Sequence, residues 1–208
     1  MYTPQHFSEI DQRRIQSIID SNGFATLITT LAGEVQISHA PVQFDPIRNM
    51  LIGHLARANP QAANLTDGDT MLAIFHGPHG YISPTWYVNE NQKSPNVPTW
   101  NYAAVHVAGT VRRLDAPADI WKIVVALSAQ YEAGNGDRKW DPGQLADHAP
   151  KLGALVGFEV AITNTQAKFK LSQNRPAGDM EGAIAGLEAS GFSGDVLLAE
   201  LMRQHRKI

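Results

Sequence analysis

Aromatic and small polar residues are interspersed between positions 81 and 106 in a way that suits the wall of a binding pocket. Tyr-Ile-Ser-Pro-Thr-Trp-Tyr is followed by a polar loop and then by Val-Pro-Thr-Trp-Asn-Tyr. Pro84 and Pro98 are rigid corners that offer no backbone donor to a neighbouring strand. Flat rings beside hydroxyl and amide groups suit a planar heterocycle. The same residue types also occur at core corners and subunit interfaces, so the residue types alone leave both interpretations open.

A second candidate site is the segment Ala-Arg-Ala-Asn-Pro-Gln at positions 56–61, directly after a predicted strand. Asn59 is a good N-cap and Pro60 a good first helical residue, which predicts a short helix. A helix start with free amides, two residues after Arg57, could hold an anion or a phosphate. The alternative is a capped helix whose arginine is only solvated.

Composition excludes several classes of site and partner. The 208 residues contain no cysteine, which excludes disulfides, thiolate nucleophiles and metal sites built on thiolates. A formal net charge of -3 gives no general electrostatic footprint for nucleic acid or an anionic membrane. No long uncharged apolar run and no signal peptide are present. We therefore expect a cytoplasmic protein with no membrane partner.

Motifs for the commonest chemistries are missing. The sequence has no phosphate-binding Gly-rich loop, no nucleophile elbow and no His-Glu-x-x-His. His76 and His79 are separated by turn residues and lack acidic neighbours at ligand spacing, so we predict no metal site. The two C-terminal helices lack a basic groove face, which argues against a helix-turn-helix. No catalytic base can be named.

The distribution of apolar residues predicts a mainly β chain with flanking helices. Ser8 and Asp11 resemble a capping box that opens a helix with an apolar stripe of Ile15, Ile18 and Ile19. Closely spaced strands with turns between them favour an antiparallel barrel or sandwich. A phase slip at Ala40-Pro41 predicts a bulge or barrel corner. A polar loop is predicted at 88–96, and two helices joined across Gly191 are predicted at 180–189 and 194–205.

Four stretches together resemble one known family. They are Met-Tyr-Thr-Pro-Gln-His-Phe at the start, and residues 53–61, 81–106 and 170–176. Spread over essentially the whole chain, they closely resemble the PaiB family, whose members have an FMN-binding split-barrel fold and are labelled negative transcriptional regulators. The resemblance implies an α+β fold, namely an antiparallel split β-barrel with flanking helices and a C-terminal helical pair. It implies one domain over 1–208, with its core at about 20–166 and a helical extension at 176–208.

The resemblance also implies a homodimer with FMN at the subunit interface. Arg57 and the helix start at Asn59 would hold the phosphate together with Lys170, and aromatic residues would form the isoalloxazine wall. Residues near the end of the chain would complete the site from the same or the partner subunit. The full cofactor-binding set is His54, Arg57, Asn59, Tyr81, Ser83, Trp86, Trp100, Asn101, Lys170, Ser172, Gln173 and Asn174.

Three functions remain open from the sequence. The first is a PaiB-type regulator that acts on DNA or through a regulatory protein partner. The second is an FMN-dependent oxidoreductase or flavin reductase that takes electrons from NAD(P)H. The third is a haem-binding split barrel, for which His54, His79 and His106 are the axial candidates. The two basic clusters, Arg112-Arg113 and 203–207, are expected to be solvated faces.

Overall fold

The chain folds into an antiparallel sheet flanked by helices. The computed structural model describes residues 1–88, 96–132 and 140–205, and most of the predicted loop at 88–96 lies outside this part. Seven strands occur in the described residues: β1 Ser8–Glu9, β2 Phe24–Leu31, β3 Glu34–Asp45, β4 Met50–Ala56, β5 Thr70–Ile82, β6 Thr99–Leu114 and β7 Leu155–Lys170. The helices there are α1 Gln12–Ser21, α2 Pro60–Asn64, α3 Pro117–Glu132, α4 Leu145–Leu152, α5 Ala177–Ala189 and α6 Ser193–Gln204.

The strands form one sheet in the order β1-β7-β4-β3-β2-β5-β6, and β6 also pairs with β7. This extra pairing closes six of the strands on themselves, as a barrel requires. Gly109 permits the closure, because a Cβ atom at this position would collide with the carbonyl oxygen of Ala161. The predicted α+β split-barrel fold is confirmed. Within the described chain, no helix combines the length and the apolar character needed to cross a bilayer.

Strand β3 changes its pairing partner at Pro41. It pairs with β2 as far as Phe24↔Pro41 and with β4 from Val42↔Gly53. The predicted phase slip is absent, because β3 is continuous and Ser38, Ala40 and Val42 alternate on its buried face. Val35 and Ile37 share one face of β3, as their two-residue spacing predicts. Their exposed fractions are 59% and 58%, so they lie on the outer face.

Helix α1 begins one turn later than the proposed capping box. Ser8 lies in β1 and does not cap the helix. The side chain of Asp11 accepts a hydrogen bond from the amide of Arg13 at 2.9 Å instead. The apolar stripe is confirmed, since Ile15 and Ile18 are both buried at 5% exposure.

The contacts divide the chain into two compact units. The first comprises Met1–Ile18, His76–Val105 and Gln166–Ile208, and the second comprises Ile19–Phe75 and His106–Thr165. Phe169, Leu171, Ile184, Leu187 and Leu198 are buried in the first unit, and Leu27, Leu51, Phe75, Phe158 and Val160 are buried in the second. The assignment of one domain over 1–208 stays a prediction.

Three glycines four residues apart line one face of α5 in the first unit. A Cβ atom at Gly186 would collide with the indole ring of Trp86, and one at Gly182 would collide with the Trp86 carbonyl oxygen. At Gly178, a Cβ atom would come within 2.9 Å of the Val88 side chain. The segment that contains Trp86 therefore lies directly on the α5 backbone, and only glycine allows this approach.

We expect Gly186→Ala to destabilise the protein by about 2–3 kcal/mol, because overpacking of this size displaces a large ring. Urea unfolding measures the change. Gly194→Ala is the matched control: Gly194 also lies in a helix, but nothing lies within 4 Å of its added methyl group. The control should be neutral or stabilising by up to about 1 kcal/mol. Equal midpoints for the two variants would contradict the close contact between Trp86 and α5.

Candidate functional site

The residues predicted to hold a cofactor are divided between the two units. The second unit contains His54, Arg57 and Asn59. The first unit contains the other nine: Tyr81, Ser83, Trp86, Trp100, Asn101, Lys170, Ser172, Gln173 and Asn174. Their joint role in binding a cofactor stays a prediction.

Three aromatic side chains of β5 and β6 form an exposed surface in the first unit, here called the aromatic face (His79, Tyr81 and Trp100). His79 and Tyr81 lie two residues apart on β5, so they point to the same side. The ring of Trp100 is centred 5.9 Å from that of His79 and 6.4 Å from that of Tyr81. Trp100 donates its indole N–H to His79 Nδ1 at 3.3 Å. Tyr81 and Trp100 are 47% and 49% exposed, which leaves ring surface open to a ligand.

His79 was predicted only as an axial ligand for haem, and its place on the aromatic face was missed. The signal was present in the sequence, because His79 and Tyr81 have the two-residue spacing of a strand face. The histidine hydrogen bond fixes the orientation of the Trp100 ring, since a held indole has fewer rotamers available.

Lys170 places a cation beside the aromatic face. Its ammonium group donates to the backbone oxygen of Trp100 at 2.6 Å and to the hydroxyl of Thr99. Burial lowers the pKa of Lys170 below its usual value, and the charges of Lys168 and Arg175 lower it further. Lys170 thus joins the end of β7 to the start of β6, next to the backbone of Trp100.

Asn101 and Ser172 form a buried polar pair in the first unit. Asn101 is 1% exposed and donates from Nδ2 to Ser172 Oγ at 2.8 Å. The Asn101 Oδ1 atom has no hydrogen-bond partner among the described residues. Ser172 has a φ angle of 62°, an uncommon left-handed conformation for a residue other than glycine. An unsatisfied buried acceptor next to a strained residue is typical of functional sites.

Other predicted members have structural contacts of their own. Gln173 accepts the amide hydrogen of Leu171 at 2.7 Å and donates to the carbonyl oxygen of Phe169, so it holds the turn after β7. Asn174 is exposed. Ser83 Oγ accepts the amide hydrogen of Thr85 at 3.3 Å and caps a short 3-10 helix, Pro84–Trp86.

Trp86 packs on the glycines of α5, so its described contacts are those of an internal packing residue.

Arg57, in the second unit, binds three internal acceptors. It donates from Nε to the Gly153 oxygen at 2.8 Å, from Nη1 to Asp115 at 2.8 Å and from Nη2 to the Leu155 oxygen at 2.7 Å. Hydrogen bonds from Arg113 and Arg57 together lower the pKa of Asp115 to about 2. The expectation of a merely solvated arginine is therefore wrong, because Arg57 joins the end of β4 to the start of β7.

Asn59 caps α2 as predicted. Its side chain accepts the amide hydrogen of Gln61 at 2.9 Å, and its Nδ2 atom donates to Ser38 Oγ at 2.8 Å. His54 is half-buried on β4 and lines a cavity of about 270 Å³ with Leu127 of α3. Burial lowers the pKa of His54, which favours the neutral imidazole at neutral pH.

The arginines expected to form solvated faces are held by carboxylates. Arg112 donates to Glu159 through Nε and Nη2 at 2.9 and 2.6 Å. Arg113 contacts Asp115, and its Nη1 atom donates to the carbonyl oxygen of Ala62 at the end of α2. Arg203 makes a two-pronged contact with Glu188. The described cations of these clusters therefore have structural partners.

Comparison with known proteins identifies the family. The model described as "Putative FMN-binding domain" matches residues 1–164. The chain belongs to this FMN-binding family. It is also 32% identical to "Protease synthase and sporulation protein PAI 2", the PaiB protein of Bacillus subtilis (strain 168), over 100% of this chain and 99% of that protein. The predicted membership of the PaiB family is thus confirmed, and so is FMN as the cofactor that the family model specifies.

Solved structures agree with the fold. The flavocytochrome Anf3 from Azotobacter vinelandii has a TM-score of 0.61 at 13% identity, covering 81% of this chain and 72% of its own. The FAD and heme binding protein from Mycobacterium smegmatis has a TM-score of 0.59 at 16% identity, covering 89% and 80%. Because the sequence identities are this low, the similarity of this FMN-binding family member to both proteins shows a shared fold alone.

The ion pairs of Asp115 predict a defined dependence of stability on pH. The pKa of Asp115 falls from 3.8 to about 2 on folding, so its carboxylate stabilises the folded state above pH 3.8 and loses this effect as the pH falls towards 2. Denaturant unfolding at a series of pH values should show a smaller loss of stability over this range in Asp115→Asn than in the unmodified protein.

Glu34→Gln is the control, since Glu34 has no ion pair among the described residues. Its stability curve should follow that of the unmodified protein. A parallel curve for Asp115→Asn would show that the two arginines do not stabilise this carboxylate.

Proposed function

We propose that this protein is an FMN-binding homodimer of the PaiB type and that the aromatic face stacks against the isoalloxazine ring. The observation that carries the proposal is that Tyr81 and Trp100 keep about half of their surface exposed, while His79 holds the Trp100 indole and Lys170 holds its backbone oxygen. Exposed rings that are nevertheless fixed in position are suited to bind a planar ligand.

FMN supplies electron or hydride transfer when bound, and the side chains of this chain bind and orient it. Trp100 and Tyr81 offer ring surface for stacking. Lys170 brings positive charge next to this surface, and positive charge favours a ring system that gains electron density. Asn101, next to Trp100 on β6, is buried and points to the other side of the strand, where it holds Ser172.

Arg57 and Asn59 remain our candidates for the phosphate. A guanidinium group has five N–H donors, and the described contacts of Arg57 use one on each of its three nitrogen atoms. Two donors are left for an anion. The charge of Arg57 is already oriented by its internal acceptors, which reduces the entropy lost when a phosphate binds.

We expect Trp100→Ala to weaken FMN binding by about tenfold to a hundredfold, because stacking on one aromatic side chain contributes about 1–3 kcal/mol. Quenching of FMN fluorescence by the flavin-free protein measures the affinity. Trp140→Ala is the matched control, since Trp140 is 38% exposed and belongs to the other unit.

The two variants must differ for the assignment to stand, and equal affinities would reject the aromatic face as the flavin site. The same titration, made with FMN and with riboflavin, distinguishes residues that bind the phosphate from residues that bind the ring. Arg57→Ala should weaken FMN but leave riboflavin, which lacks the phosphate, unchanged. Arg13→Ala, at a 94% exposed side chain, should change neither.

Homodimer formation is supported by an exposed apolar surface on the second unit, here called the outer β2–β3 face. Ile28 and Ile37 are direct cross-strand partners on it. Phe24, Val35 and Ile37 are 68%, 59% and 58% exposed. Large apolar side chains exposed on one face of two paired strands are unfavourable in water and favour burial against a second copy.

We expect Ile37→Lys to convert the dimer to a monomer, because burying an unpaired ammonium in an apolar interface is costly. Light scattering coupled to gel filtration measures the mass. Ile47→Lys is the control: Ile47 is 94% exposed in the turn between β3 and β4, and its substitution should leave the mass unchanged. A dimer in both variants would place the interface elsewhere.

We further propose a regulatory role exerted through a protein partner. Phe192, directly before α6, and Leu197 within it are 72% and 60% exposed. Arg203 of the same helix is paired with Glu188. This surface suits protein contact better than a DNA groove.

Two experiments would favour a different function. A gel shift with operator DNA that weakens steeply with salt would favour direct DNA binding instead. Bleaching of the bound flavin by NAD(P)H would favour a reductase.

A further inference from the structure

A cavity of about 490 Å³ lies within the second unit, where β3, β4, β6 and β7 meet one face of α3. Its size is within the range of small-molecule sites. None of the residues predicted to bind the cofactor lines it. Ile123 and Ala126 of α3 and Leu114 of β6 contribute to an apolar wall, continued by Phe44 and Ile52.

The rim of this cavity is charged and fixed. Glu159 is 6% exposed and accepts from Arg48 through one oxygen and from Arg112 through the other, each at 2.6 Å. Burial raises the pKa of Glu159, but the hydrogen bonds from Arg48 and Arg112 outweigh it and hold the pKa below its usual value. Asp45 also holds Arg48, at 2.7 Å. Two guanidinium groups are therefore positioned over an apolar wall before any ligand arrives.

The hydrogen-bond donors and acceptors of the rim that have no partner define which kind of ligand could bind. Arg48 uses Nε and Nη1, and Arg112 uses Nε and Nη2. One nitrogen of each guanidinium is thus left without a partner among the contacts of the described chain. Lys122 binds Asp119 through only one contact at 2.9 Å and has further donors. In addition, the Gln43 Oε1 atom is buried and has no partner among the described residues.

The charges favour a singly charged anion. The three cations of the rim face three carboxylates, Asp45, Asp119 and Glu159, so the rim has no net positive charge to hold a dianion. Each arginine keeps three of its five N–H donors for a ligand, and these can still bind one carboxylate. The apolar wall requires that the rest of the ligand carry no charge. The Gln43 Oε1 atom requires a hydrogen-bond donor on that uncharged part.

We propose that this cavity is a second ligand site, which binds a small amphipathic carboxylate with an apolar ring and one N–H donor. The carboxylate contacts Arg48 and Arg112, the ring lies on Ile52 and Ala126, and the N–H group donates to Gln43. Such a site would let the second unit sense an organic acid independently of the aromatic face.

Indole-3-acetate is a suitable probe, because it has a carboxylate, a flat apolar ring and one ring N–H. Calorimetric titration of the protein, with and without FMN, should show one site whose affinity does not depend on FMN. Removing the carboxylate, as in 3-methylindole, should abolish binding. Methylating the ring nitrogen, as in 1-methylindole-3-acetate, should weaken binding about fivefold, the usual effect of one hydrogen bond.

Three variants test the assignment of residues. Gln43→Leu should weaken indole-3-acetate about fivefold but leave its N-methyl derivative unchanged, since that ligand has no hydrogen to donate. Arg112→Gln should weaken indole-3-acetate about tenfold or more. Arg13→Gln, remote from the cavity lining, should have no effect. Ala126→Phe should fill the cavity and prevent binding.

In the unmodified protein, indole-3-acetate should bind about fivefold more tightly than its N-methyl derivative. The proposal is supported if Gln43→Leu is the variant that loses this difference in affinity while its unfolding midpoint stays unchanged. Three results would overturn it: no binding to the unmodified protein at millimolar probe, equal binding of 3-methylindole, or competition between FMN and the probe. Competition would assign the cavity to the flavin. Failure of the Trp100 titration alone would affect only the flavin proposal.

Discussion

The pairing of β6 with β7 is the constraint on which the rest of the second unit depends. Once these strands pair, alternate residues of β7 are committed to the interior, as Phe158 and Val160 are. The register Leu51↔Val160 then fixes β4, and Gly109 is required where the two backbones approach. Glu159 lies between two interior residues and is covered by arginines from β6 and the β3–β4 turn. The closed sheet therefore determines where the charged groups of this unit can meet.

Two carboxylates, Glu159 and Asp115, each hold two arginines of the described chain. Removing Glu159 from water is unfavourable unless it is paired, and Arg48 and Arg112 together satisfy both of its oxygens. Asp115 holds Arg57 and Arg113 in the same way at a more exposed position. Arginine side chains that the sequence could assign only to a solvated surface therefore have a fixed orientation. Fixed guanidinium groups lose less entropy when an anion binds, which connects the stability of the sheet with ligand recognition.

Local patterns in the sequence predicted local structure well. The strands, the Asn59 cap and the helical pair around Gly191 follow from spacing and from residue preferences that act over a few positions. The outer position of Ile37 could not be predicted, because alternation defines two faces without saying which one is buried. The ion pair of Arg48 and Glu159 joins residues 111 positions apart. Such pairs depend on the closed sheet, and so does the aromatic face, which combines residues from two strands.

The glycines that admit Trp86 also make α5 a weak helix by itself. Glycine is less favourable than alanine in a helix by about 1 kcal/mol, and α5 contains Gly178, Gly182 and Gly186 within 13 residues. The helix is therefore expected to form together with the docking of Trp86 and not before it. Because of this coupled folding, the C-terminal helical pair forms only when the segment that follows β5 is docked on it. That segment leads directly from Tyr81, so the order of α5 and the geometry of the aromatic face share one structural origin.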